Sequence, residues 1–141
     1  MISSISKTES LLRDLLAEER KLHQAYMSYL PLLYTSTLHD KMQEWVGDGG
    51  RHIEALQLAL EKRGGAVDQT AVLPQATPEE IEAHLFLDYF YRAEERLYYH
   101  YQNSLNQAEE EGLRALVLSH LQDQEKHLSA IQHLYADFLY F

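Results

Sequence analysis

The sequence predicts an all-α fold, a four-helix bundle in which two helical hairpins are joined by a long crossover. Three observations predict it. Three prolines and six glycines in 141 residues leave long stretches free of helix breakers. Apolar residues recur at steps of three and four rather than two. Short connections are expected between the first and second helices and between the third and fourth, with a long one in the middle. The length suits one domain spanning 1–141, large enough for a core and too small for two.

The first helix is expected over 7–34. Leu11, Leu12, Leu15, Leu22, Tyr26 and Leu30 form its apolar stripe, and Pro31 bends or ends it. Ser36 or Thr37 can cap a second helix over about 38–63, closed by Gly64-Gly65. Thr77-Pro78-Glu79-Glu80 reads as a helix start, with Thr77 as cap, Pro78 first in the helix and Glu80 closing a capping box. That third helix is expected to reach Glu111 and stop at Gly112, and the fourth to cover 113–138. The segment from Gly64 to Thr77 could extend roughly 45 Å. A helix of about 26 residues is roughly 39 Å long, so this segment can run the length of a bundle.

Composition narrows the function. A formal charge of -10 argues against nucleic acid or an anionic membrane, because both need a basic face. Without cysteine there are no disulfides and no thiolate metal ligands. The opening MISSISKTES lacks a signal-peptide core and no run approaches a membrane span, so a cytoplasmic protein is the expectation.

Sliding the sequence on itself by 75 positions reveals a repeat. Glu19 falls on Glu94, His52 on His127, Asp48 on Asp123, Leu22 on Leu97 and Tyr26 on Tyr101. Ala55-Leu56-Gln57 falls on Ala130-Ile131-Gln132. The chain reads as a duplicated hairpin with pseudo-twofold symmetry. Leu15, Glu19, Leu22 and Tyr26 share one helix face, as do Phe90, Glu94, Leu97 and Tyr101. The second helix runs Leu38, Met42, Trp45, Gly49, His52, Leu56; the fourth runs Leu113, Val117, His120, Gln124, His127, Ile131. Two carboxylates and two imidazoles thus stand where core residues belong. Burying a lone carboxylate costs several kcal/mol unless it is paired or bound. Glu19, His52, Glu94 and His127 are therefore candidate metal ligands, and the alternative is a pair of buried Glu–His ion pairs.

These residues, with HIEALQLALEKRGG and AEEEGLRALVLSHLQDQEKHLSAIQHL, resemble the rubrerythrin-like branch of the ferritin-like superfamily, in the short form without a rubredoxin domain. The resemblance implies a ferritin-like bundle holding two irons or other divalent metals, and oxidase or peroxide-scavenging chemistry. Carried over by position, Glu19 and Glu94 match the family's single glutamates, and His52 and His127 match its histidines. The glutamates of its two Glu-x-x-His motifs are replaced by Gly49 and Gln124. Asp48 and Asp123, four residues before each histidine, could reach the face of their own histidine and add ligands. A degenerate one- or two-metal site and a metal-free bundle both remain open.

Gly47-Asp48-Gly49-Gly50 is unusual in a helix. It marks a local distortion, a loop, or a space beside the site where a small ligand or water faces Gln124. Of ten tyrosines, only Tyr26 and Tyr101 are expected near the site. His23, His100, His120 and His133 read as surface or structural residues, with His120 the best spare ligand. The tyrosine excess and the terminal YADFLYF point to a homo-oligomer, most simply a dimer.

Overall fold

A computed structural model describes residues 7–32, 37–64 and 83–139. Among these every regular element is helical. Helix α1 spans Lys7–Tyr29 and buries Leu12, Leu15, Leu16, Glu19, Leu22, Ala25, Tyr26 and Tyr29, a single stripe at helical spacing. It stops short of the expected 34. Leu30–Leu32 tighten into a 3-10 turn around Pro31. Proline lacks an amide hydrogen and its ring crowds the carbonyl four residues back, so the α-helix ends just before it.

Helix α2 spans Thr37–Lys62, close to the expected range. Positions 47–50 are continuous helix rather than a loop. At its end the amides of Arg63 and Gly64 bond the carbonyls of Leu60 and Glu61 at 3.1 and 2.9 Å, and Gly64 has φ +76°. That left-handed conformation costs glycine nothing, which is why the helix closes here.

Helix α3 spans Ala83–Gln107 and α4 spans Glu111–Leu139. The capping sequence at 77–80 and the crossover fall outside the described residues. Where α3 ends differs from the expectation. It stops at Gln107, and Gly112 lies inside α4. Arg114 settles this: its guanidinium donates to the carbonyls of Leu105 and Ala108 at 2.8 and 3.1 Å, satisfying the end of α3. The Arg114 amide bonds the Glu110 carbonyl at 3.0 Å, so α4 is already under way at Gly112. Arg63 holds the same turn through Glu110.

Helix α1 packs most extensively on α2, and α3 on α4; contacts of α1 with α3 and of α2 with α4 complete a bundle. One region of the core is aromatic. Tyr26 stacks on Phe90 at 4.2 Å between centroids, and Tyr29 and Tyr89 meet the same ring edge-on. Truncating Phe90 to alanine there should cost about 3–5 kcal/mol. One turn further along α3 the core becomes polar, at Glu94. No described helix is long and apolar enough to cross a membrane.

Candidate metal centre

Each helix buries one of the four expected ligands: Glu19 from α1, His52 from α2, Glu94 from α3 and His127 from α4 are at most 3% exposed. Their helices carry them inward because they occupy the apolar stripe. Pairing offsets the burial. The Nδ1 of His52 lies 2.9 Å from Glu19 Oε1, and that of His127 lies 2.9 Å from Glu94 Oε2.

The other ring nitrogens meet the aspartates. His52 Nε2 is 2.8 Å from Asp123 Oδ2, and His127 Nε2 is 2.8 Å from Asp48 Oδ2. This corrects the expectation that each aspartate serves its own histidine. The carboxylates instead cross between α2 and α4, because those helices face one another there; Asp48 also pairs with Arg51 on its own helix. Both aspartates sit on the ring edge away from the glutamate. Two glutamate bonds and two aspartate bonds tie all four helices together.

Electrostatics around His52 follow from that pairing. Burial works to lower its pKa, but the hydrogen bond and charge of Glu19, then those of Asp123, raise it above the ordinary histidine value. Asp123 feels burial pushing upward, outweighed by the bond and charge of His52, and is held below the usual carboxylate value. With a carboxylate on each nitrogen the charged ring is favoured while no ion is bound, and ligation requires the Nδ1 proton to leave.

Positions 75 apart diverge around this frame. The Tyr101 hydroxyl donates to Glu19 Oε1 at 2.8 Å and lies 2.9 Å from His120 Nδ1. His120 is buried, and its ring stacks on His52 at 3.9 Å. In the corresponding place beside His127 stands Trp45, 6.1 Å away. Gln124 fills the space near Glu94 and donates to its Oε2 at 3.2 Å. Its counterpart is Gly49, which leaves room for His23: a Cβ on Gly49 would lie 3.4 Å from His23 Cδ2 and 3.8 Å from Glu19 Oε2. The space the sequence suggested for a ligand is covered by that imidazole. The Tyr26 hydroxyl lies near enough to Glu94 for that carboxylate, after burial, to raise its pKa, yet no partner meets hydrogen-bond geometry.

Glu19, His52 and His120 each offer one ligand atom within 4.8 Å of the others, and all three are buried. They could hold a metal ion. Burial and then the His52 charge push the pKa of His120 down to about 3, so it is a neutral base with a lone pair to give. One carboxylate and two imidazoles fit a transition metal well. Among the described residues the other half offers no such group of three. Gln124 presents an amide N–H to Glu94, and Trp45 stands beside His127 where His120 stands beside His52. His120 is the residue that sequence reasoning ranked too low. Its signal was present, since it occupies the inward stripe of α4 one heptad before His127. The chain matches no known family model, and no curated protein matches it.

Proposed function

We propose that this chain is a ferritin-like metal-binding bundle holding one divalent ion on Glu19, His52 and His120. The buried convergence of those three side chains carries the reading. The match of Glu19, His52, Glu94 and His127 to the rubrerythrin-like ligand pattern supports the ancestry, as do the 75-residue repeat and the pairing of α1 with α2 and α3 with α4. An iron-type ion would supply redox chemistry towards dioxygen or peroxide. The chain's own residues hold and shield it. Asp123 orients His52 through Nε2, Tyr101 braces Glu19, and the surrounding helices keep bulk water away.

A second reading, a metal-free bundle locked by ion pairs, is favoured by one observation: among the described residues only the Tyr26 hydroxyl is a buried side-chain polar atom without a partner. Metal analysis of protein purified without a histidine tag separates the two. One ion per chain is expected, lost in Glu19→Ala and in His120→Ala. A metal-free protein whose melting temperature ignores added iron, manganese and zinc would leave the ion-pair bundle standing.

A further inference from the structure

Four polar atoms form an unbroken series at this centre. His52 Nδ1 to Glu19 Oε1 is 2.9 Å, Glu19 Oε1 to Tyr101 Oη is 2.8 Å, and Tyr101 Oη to His120 Nδ1 is 2.9 Å. The stacked rings of His52 and His120 bring the two ends back together. Donors about 2.0–2.1 Å from one ion and at right angles around it stand about 2.9 Å apart, the same spacing. Protons hold these atoms together in the metal-free state, and an ion can take the protons' place without rearranging the helices. Tyr101 is fully buried and its hydroxyl has no solvent route to a competing partner.

We propose that Tyr101 is the fourth donor of this centre, its phenolate oxygen completing a two-histidine, glutamate and tyrosine set that takes ferric iron. The inference rests on the metal-binding reading above. Charge supports the choice of oxidation state. Glu19 and Asp123 together balance a dication, and a phenolate at Tyr101 adds the third negative charge that a trication needs. Without a cation the Tyr101 hydroxyl keeps its hydrogen, donated to Glu19 Oε1 at 2.8 Å. On binding, the O–H bond of Tyr101 and the Nδ1–H bond of His52 break heterolytically, each freed electron pair bonds to iron, and both protons leave to bulk buffer. No electron is transferred, since the iron enters as Fe(III).

The experiment adds ferric citrate to the intact, tag-free chain and records visible absorption and resonance Raman spectra. One Fe(III) per chain is expected, with a phenolate-to-iron charge-transfer band and enhanced phenolate ring modes. Tyr101→Phe should lose the band, release one proton fewer per iron and still bind Zn(II). Tyr26→Phe, altering the other buried tyrosine near the core carboxylates, should keep the colour. A colourless ferric complex, or a band that survives Tyr101→Phe, overturns the tyrosinate assignment while Zn(II) binding leaves the centre intact. If Tyr101→Phe does not fold, the wild-type Raman spectrum decides alone, since absence of phenolate modes excludes the ligand. A wild-type chain binding neither Zn(II) nor Fe(III) overturns the centre itself.

Discussion

The imidazole of His120 lies face to face with that of His52, ring centroids 3.9 Å apart and planes 19° from parallel. Two rings in such contact cannot both carry charge cheaply in a buried site. The surroundings divide the roles. His52 has carboxylates on both nitrogens and stays protonated, whereas His120 meets Tyr101 and stays neutral. While no ion is bound, one histidine anchors the framework and the other keeps a lone pair; an ion takes the place of the Nδ1 proton on the first.

That division predicts how stability of the metal-free protein varies with pH. His120 has a folded pKa of about 3, below its unfolded value of 6.5. The unfolded chain therefore binds the extra proton first, and stability falls as pH drops from 6.5 towards 3. His52 acts oppositely: its pKa is raised, so its contribution is complete below 6.5 and disappears as pH rises through the folded value. With chelator present, the melting temperature should fall on both sides of a maximum. His120→Gln should flatten the slope between pH 6.5 and 5, where one such group supplies up to about 1.4 kcal/mol per pH unit. An unchanged slope in that variant would contradict the assignment.

The two core tyrosines should respond differently to losing their hydroxyls. Tyr26 has a buried hydroxyl with no hydrogen-bond partner, so Tyr26→Phe should change stability by less than about 1 kcal/mol or improve it. Tyr101→Phe removes bonds to Glu19 and His120 and should cost about 1–3 kcal/mol. Urea unfolding of both variants tests the contrast. Equal losses would mean that Tyr26 also makes a bond.

Asp123 and Asp48 sit in matching places yet support different histidines. If only the His52 half binds metal, Asp123→Asn should weaken Zn(II) binding by about 10–100-fold through its hold on that ring. Asp48→Asn should leave affinity nearly unchanged while lowering stability. Titration calorimetry reads both, and an equal loss of affinity would point to a centre spanning the two halves.

Restoring the absent acids should restore the absent ion. Gly49→Glu with Gln124→Glu rebuilds Glu-x-x-His before His52 and His127, the pattern this chain resembles. The Cβ fits, at 3.4 Å from His23, and the longer side chain displaces that half-buried imidazole outward. Metal content should rise from one ion per chain to two. Loading that stays at one would show that Trp45, rather than the missing glutamates, closes the second site.

Much of this was legible from the chain alone. Spacings of three and four placed Leu15, Glu19, Leu22 and Tyr26 on one inward face, and that face is buried. The same register brought Glu94, His52 and His127 inside. Periodicity reveals burial because a helix rotates by a constant angle per residue, whatever its neighbours are. Gly64 announced the end of α2, since only a left-handed residue closes the helix there without strain.

What the sequence could not decide was which side chain crosses to which helix. Asp48 and Asp123 each lie within reach of the nearest histidine on their own helix, but the packing of α2 against α4 sends each to the opposite one. Gly112 looked like a terminus, and a guanidinium from two residues further on ended α3 earlier. His120 differs from other inward histidines only through its neighbours, a stacked imidazolium and the Tyr101 hydroxyl, supplied by α2 and α3. The sequence determined which residues are buried, because that depends on local helical phase. Only the tertiary structure decided which of them meet, because hydrogen bonds and metal ligation depend on distances of a few ångströms between helices far apart in the chain.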